Sequence, residues 1–155
     1  MEQFISLKQP IPDRTIQSSR VFNAPCAAVF KAWSDPTLLA QWWGPKGFTN
    51  TFQEFDFKPA GRWRFIMHGP TGGDYKNEAV FLQITPLKTI VWDRLSQPLF
   101  QISVHFEDRG DKTLLTFLMI FDAPEACEKI KKIAPGANEE NFDRLEKVLE
   151  TIITS

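Results

Sequence analysis

The segment Gln41-Trp42-Trp43-Gly44-Pro45-Lys46-Gly47-Phe48 is the strongest local constraint on the fold of this 155-residue chain. Two adjacent tryptophans predict a buried aromatic surface, because indole rings are seldom placed in a loop without packing. The Gly-Pro step stops a helix, since proline lacks an amide N–H and disfavours helical geometry in the preceding residue. The segment is therefore predicted to end a helix, to bury indole surface and to form the rim of a cavity.

Hydrophobic periodicity on both sides of this segment predicts an α+β domain. Phenylalanines between residues 48 and 57 change phase along one strand, which predicts a β-bulge near Gln53-Glu54. The run Ala134-Pro135-Gly136 is expected to break the helix before it. The predicted elements are a strand at 14–22, short helices at 24–33 and 37–43, six strands between 48 and 121, a helix at 124–133 and a long amphipathic helix at 138–153.

The chain is predicted to hold one domain at 14–155, preceded by a tail or strand-adding arm at 1–13. A sheet of consecutive antiparallel strands needs a cover for its apolar face, and the amphipathic last helix suits that role. Aromatic residues make up 13% of the chain, with 14 Phe and 5 Trp, which indicates an interior lined with rings.

Net charge and hydropathy limit the kinds of binding partner and the cellular location expected for the chain. The net charge of −1 and the lack of a basic block argue against nucleic acid. The sequence has no apolar run long enough to cross a membrane and no signal-peptide pattern, so a cytoplasmic location is expected. Cys26 and Cys127 lack metal-ligand spacing, which predicts reduced, structural thiols.

Several short motifs stand in a characteristic order along the chain. They are Arg20-Val21-Phe22-Asn23-Ala24-Pro25, Asp35-Pro36, Trp42-Trp43-Gly44-Pro45-Lys46-Gly47-Phe48, Asp56-Phe57-Lys58-Pro59-Ala60-Gly61-Arg62-Trp63 and Ile84-Thr85-Pro86. Together these motifs resemble the START-like (SRPBCC, helix-grip) superfamily. More narrowly, the chain is similar to AHSA-like proteins, which are related to the C-terminal domain of the heat-shock-protein-90 ATPase activator. The match covers about residues 14–154, with departures at Lys58, where Arg is common, and at Ala60 and Ala79, where Gly is common.

The resemblance implies a curved antiparallel sheet of six to seven strands, in the order β-α-α-β(6)-α, wrapped around the long C-terminal helix. It also implies an internal apolar cavity between sheet and helix. Among relatives of this fold, some bind or sequester apolar or aromatic small molecules, some are enzymes acting on polyketides, and one branch contacts a chaperone. Fold alone does not choose among these functions.

Large apolar side chains on the predicted helices and strands are the candidate cavity-lining residues. Each one taken singly is more simply explained as core filling, whereas the group favours an apolar pocket. The candidates are Trp42, Trp43, Trp63, Phe65, Met67, Phe81, Trp92, Leu145 and Leu149.

The sequence has few polar residues in arrangements typical of metal binding or catalysis. His68 and His105 stand apart from any metal-ligand cluster, and His105 is expected to point away from the face of its apolar neighbours, so no metal, cofactor or catalytic set is predicted. Ionisable residues on or beside the predicted strands can converge inside a closed sheet, or they can pair across strands on its outer face. Pairing on the outer face is favoured for most of them. These residues are Glu54, Asp56, Arg62, Arg64, Glu78, Asp93 and Arg94.

Three functions remain open. The first, which we favour, is non-catalytic binding of a small hydrophobic or aromatic molecule. The second is an enzyme of the cyclase, dehydratase or hydrolase type that uses polar groups in the same cavity. The third is a chaperone-contacting or stress-response module, and a homodimer also stays open.

Overall fold

The computed structural model of the chain describes residues 7–154, which form a seven-stranded antiparallel sheet and four α-helices. A short 3₁₀ turn at Pro12–Arg14 precedes the first strand. The strands are β1 (Thr15–Phe22), β2 (Thr49–Phe55), β3 (Arg62–His68), β4 (Asp74–Thr85), β5 (Thr89–Arg94), β6 (Gln101–Arg109) and β7 (Lys112–Ile120). The helices are α1 (Cys26–Ser34), α2 (Pro36–Trp42), α3 (Pro124–Lys131) and α4 (Ala134–Thr154).

The strands follow one another as hairpins from β2 to β7, and β1 closes the far side by pairing with β7, which gives the order β1-β7-β6-β5-β4-β3-β2. The predicted α+β helix-grip architecture is confirmed, including the long C-terminal helix. Residues 1–6 of the predicted tail lie outside the described residues. In its described part, the backbone amide of Lys8 donates to Oε1 of Gln101 over 2.9 Å, on the outer face of the sheet.

The predicted bulge in the second strand is confirmed. Pairing with β3 skips Gln53 between Phe52 and Glu54. Because of this extra residue, Phe52 and Phe55 both turn toward the inner face, where their ring centroids lie 5.6 and 5.8 Å from that of Trp63. The bulge thus adds two rings to the core from one short strand.

The predicted break between the last two helices is present, at residues 132–133, but the predicted start of the last helix at residue 138 is wrong. Helix α4 begins at Ala134, so Pro135 and Gly136 lie in its first turn. Proline is tolerated there because the first four amides of a helix have no intrahelical acceptor. The helix presents Phe142 and Leu145 to the core, and the Phe142 ring packs edge-on against Phe22 of β1 at 5.6 Å.

The inner face of the sheet carries the core. Alternation along β3 turns Trp63, Phe65 and Met67 inward, and strand register aligns Trp63 with Ala79 and Met67 with Tyr75. Helix α4 packs against β1, α1 against β6 and β7, and α2 against β2, and both cysteines are buried and unbridged.

Candidate functional site

The indole of Trp42, in α2, satisfies a backbone carbonyl at the C-terminal end of helix α1. Ala32 lies in the last turn of α1, and the residue that would donate to its carbonyl in a continuing helix is Pro36, which has no N–H. The indole Nε1 of Trp42 donates to that carbonyl instead, over 3.1 Å. Trp42 is fully buried, and its ring centroid lies 4.7 Å from that of Trp33.

The rim segment, residues 41–48, is attached to helix α4. Nη1 of Arg144 donates to the carbonyls of Gly44 and of the residue after it, over 2.8 and 3.1 Å, and Nη2 donates to Gln41 over 2.9 Å. In return, Oδ1 of Asn141 accepts the amide N–H of Gly44 at 2.7 Å. Helix α4 therefore binds part of the backbone that the end of α2 leaves open, and Asn50 of β2 donates to the carbonyl of Trp43 over 2.6 Å.

Gly44 brings the rim segment against the inner face of the sheet. Its φ is +103°, and a Cβ on it would lie 2.8 Å from Cε of Met67. A side chain at Gly44 is therefore disfavoured by the backbone geometry, and it would also require the flexible end of Met67 to move.

The structure gathers the predicted ring residues into one core. Trp63 is at its centre, with ring centroids 4.6 Å from Phe65, 5.5 Å from Trp92 and 5.3 Å from Trp43. Phe81 stacks parallel to Trp63 at 6.2 Å. The rings touch one another directly, so they behave first as packing.

The remaining candidates differ in exposure. Trp43 and Met67 are half-buried, whereas Leu145, on the core-facing side of helix α4, is fully buried. Leu149 lines a separate surface recess of about 230 Å³ beside Phe22 and Glu146. Leu149 is thus associated with a different cavity from Met67.

Two indole donors in this core are unusual. Nε1 of Trp33 and Nε1 of Trp63 are buried and have no hydrogen-bond acceptor. A buried donor without an acceptor costs about 1–3 kcal/mol. Each would gain a hydrogen bond only from an acceptor that reached into the packed core by displacing neighbouring side chains.

An open cleft of about 560 Å³, here called the rim cleft, lies where the inner-face row of β3 ends at Met67. The rings of Phe48 and Tyr75 pack against each other in its lining, with centroids 6.1 Å apart. Its lining residues are Pro45, Phe48, Met67, Asp74, Tyr75, Lys76, Asn77, Arg94 and Gln97.

Sequence reasoning found Met67 and the rim but missed the opposite wall of the cleft. The signal was available, because Tyr75 and Asn77 share the strand phase of Phe81, and Arg94 shares that of Trp92.

The predicted outer-face ion pairs are confirmed for two arginines. Arg62 contacts Glu78 at 2.6 Å, and Arg64 contacts Glu54 at 3.6 Å. Arg94 differs from these, because it lies in phase with Trp92 and lines the rim cleft.

Both histidines are on the outer face, hydrogen-bonded to neighbouring side chains. His68 contacts Oγ1 of Thr51 through Nε2 at 2.7 Å and Oδ1 of Asp74 through Nδ1 at 2.8 Å. His105 contacts Oγ of Ser103 through Nε2 at 2.8 Å, and burial lowers the pKa of its imidazole. Across residues 7–154, the His, Cys, Asp and Glu side chains form no group of three or more suited to a metal ion.

No helix in the described part of the chain has the length and apolar character needed to cross a lipid bilayer.

A family model described as Activator of Hsp90 ATPase homolog 1-like protein matches residues 23–150. The chain belongs to this family. A comparison with curated protein sequences gives no match. Membership in the Hsp90-ATPase-activator-like family agrees with the resemblance carried by the sequence motifs.

Solved structures share the fold of this family member over nearly its whole length. A protein from Nitrosomonas europaea is 19% identical, with a TM-score of 0.86 over 94% of this chain and 99% of that one. A protein from Arthrobacter aurescens is 21% identical, with a TM-score of 0.84 over 93% of this chain and 90% of that one. At such identities the likeness shows the fold alone.

The turn between β2 and β3 shows one departure from the family pattern at work. Ala60, a departure from the family pattern that the sequence motifs resemble, has a φ of +72°, in the left-handed region. The next residue, Gly61, permits no side chain, because a Cβ there would lie 1.9 Å from the carbonyl oxygen of Asp56. The turn therefore holds one strained alanine beside one obligatory glycine.

Proposed function

We propose that this member of the Hsp90-ATPase-activator-like family binds a small apolar or aromatic molecule, without catalysis, in the rim cleft. The observation that carries the proposal is an open cleft of about 560 Å³ at the end of the inner-face row of rings. Ligand pockets in proteins commonly measure about 300–1,000 Å³ and are lined by apolar and aromatic side chains with a few polar groups. The rim cleft has that size and composition.

The walls of the cleft favour a flat apolar body. Phe48 and Tyr75 supply two ring faces, and Met67 supplies a flexible thioether that adapts to different shapes. Tyr75 is 55% exposed, although a large aromatic side chain gains stability by burial. A ligand that covers its ring removes this exposed apolar surface from water.

The predicted ring residues support the site from beneath. Trp43 is half-buried, and the Trp63 ring behind it carries an indole N–H without an acceptor. A ligand that displaces the flexible side chain of Met67 and reaches inward can accept a hydrogen bond from Trp63. An enzymatic role, a chaperone contact, a homodimer and a cytoplasmic location stay predictions from the sequence.

The test is a titration with small bicyclic and monocyclic aromatics, each as a neutral amide and as a carboxylate: 2-naphthamide and 2-naphthoate, cinnamamide and cinnamate. Binding is followed by two-dimensional ¹H–¹⁵N NMR. We expect saturable shifts centred on residues of the rim cleft. Tyr75→Ala should weaken binding roughly tenfold, since one aromatic contact is worth about 1–1.5 kcal/mol.

The matched control is Ile133→Ala, which truncates an apolar side chain that is 67% exposed at the α3–α4 junction. It should leave binding unchanged. Failure of every compound to give saturable shifts, or an equal loss of affinity in Tyr75→Ala and Ile133→Ala, would overturn the proposal.

A further inference from the structure

We propose that the rim cleft selects ligands that carry a carboxylate, and that the guanidinium of Arg94 binds this carboxylate. The inference rests on the proposed function, because the rest of the cleft holds the apolar body of the same ligand. It adds a chemical class, namely monocarboxylic acids with an aromatic or apolar body.

Strand register turns Arg94 toward the inner side. Arg94 ends β5, pairs with Ala79 of β4 and stands two residues after the buried Trp92. Side chains two apart on a strand share a face, so the guanidinium lies on the side of the sheet that carries the core. The other strand arginines, Arg62 and Arg64, have carboxylate partners on the outer face.

The hydrogen bonds of Arg94 leave one nitrogen unused. Nε donates to the carbonyl of Pro98 at 2.9 Å, and Nη2 contacts Oγ of Ser96 and the carbonyl of Gln97, both at 3.3 Å. A guanidinium has five N–H donors, two of them on Nη1. Within residues 7–154, no hydrogen bond uses Nη1 of Arg94. The loop after β5 therefore fixes the orientation of the guanidinium and leaves Nη1 available to a ligand.

The charge of Arg94 is also uncompensated. The guanidinium is half-buried, one of its faces lies 5.2 Å from the ring centroid of Phe100, and it forms no ion pair with a carboxylate of the described residues. Burial lowers the pKa of Arg94, in accordance with an environment that disfavours the cation. A partly buried charge is ordinarily paired, and a ligand carboxylate would supply the counterion.

The remaining charges of the cleft favour a monoanion. Lys76 adds a second cation to the lining, and Asp74 adds one carboxylate that is already hydrogen-bonded to Nδ1 of His68 at 2.8 Å. One net positive charge and one free guanidinium nitrogen suit a single carboxylate. A phosphate dianion commonly requires several converging donors, so we assign the site to carboxylates.

The experiment compares each acid with its own amide. At neutral pH the wild-type protein should bind 2-naphthoate roughly tenfold or more tightly than 2-naphthamide, because a charge-assisted hydrogen bond replaces a neutral one. Arg94→Gln should abolish this preference, so that the variant binds 2-naphthoate and 2-naphthamide with equal affinity. Arg94→Lys should keep part of the preference, since it keeps the charge.

Two comparisons separate the possible failures. Arg62→Gln removes an arginine on the outer face and should retain the full preference. Arg94→Gln also loses contacts to its loop, but the acid-to-amide ratio within one variant cancels a general loss of fold. Equal binding of acid and amide by wild type, or a preference that survives in Arg94→Gln, overturns this inference alone. Failure of all four compounds, the two naphthalene derivatives and the two cinnamic derivatives, to bind overturns the proposed function with it.

Discussion

Trp42 and Trp63 allow the cost of an unsatisfied indole donor to be measured inside one core. Both side chains are at most 1% exposed, and both would lose the same atoms on replacement by phenylalanine. They differ in that Nε1 of Trp42 donates to Ala32, whereas Nε1 of Trp63 has no acceptor. The pair therefore tests the assignment of Trp63 as a donor that a ligand can use.

The magnitude follows from the difference between the two variants. Trp42→Phe leaves the Ala32 carbonyl without its donor, which costs about 1–3 kcal/mol beyond the lost volume. Trp63→Phe removes a donor that was already unsatisfied and recovers a similar amount. The lost ring volume is common to both, so Trp42→Phe should lower the free energy of unfolding by about 2–6 kcal/mol more than Trp63→Phe.

The assay is urea unfolding followed by far-ultraviolet circular dichroism, which does not depend on the tryptophans being replaced. The two variants should share one m-value, so the midpoints alone report the difference. Trp33→Phe is an internal replicate and should behave like Trp63→Phe, because its Nε1 is also unsatisfied. If Trp63→Phe were as destabilising as Trp42→Phe, the donor would have an acceptor, and our reasoning about it would be refuted.

Two further predictions concern the backbone and the outer face. Ala60→Gly should raise the free energy of unfolding by about 0.5–1 kcal/mol, because removing the strain of a left-handed alanine outweighs the added freedom of the unfolded chain. Ala79→Gly, at a buried strand position, should lower the free energy of unfolding. A change of the same sign for both variants in urea unfolding would contradict the argument. Because the pKa of His105 is lowered in the folded protein, its imidazole takes up a proton at a higher pH in the unfolded chain than in the folded one. The stability that His105 contributes is therefore complete above about pH 6.5 and is lost as pH falls toward the folded pKa. His105→Gln should flatten stability over that interval in pH-dependent thermal melts, and a slope equal to that of wild type would show that this imidazole is not responsible.

Local patterns were enough to predict most of the fold. Alternation along β3 predicted its buried face, and the phase change between Phe52 and Phe55 located the bulge, because both depend on neighbours in sequence. The error at Pro135 has a physical cause: proline stops a helix from within but is accepted in the first turn, and sequence alone did not distinguish the two positions.

The candidate site was less predictable because its features depend on distant residues. The acceptor for Trp42 is ten residues away on another helix, and the cleft joins the rim segment to β4 and β5. Arg94 looked like any other strand arginine in the sequence. Its distinction is a missing carboxylate partner, which only the three-dimensional arrangement reveals.

The attachment of residues 41–48 to α4 has a consequence for the width of the rim cleft. Three carbonyls and one amide of the segment are bound by Arg144 and Asn141, so the segment is anchored on that helix. A shift of the C-terminal helix on the sheet would therefore move one wall of the cleft. For the binding site that we propose, substitutions among the buried side chains of α4 would change the opening, and ligand specificity would change although every residue that lines the cleft stays the same.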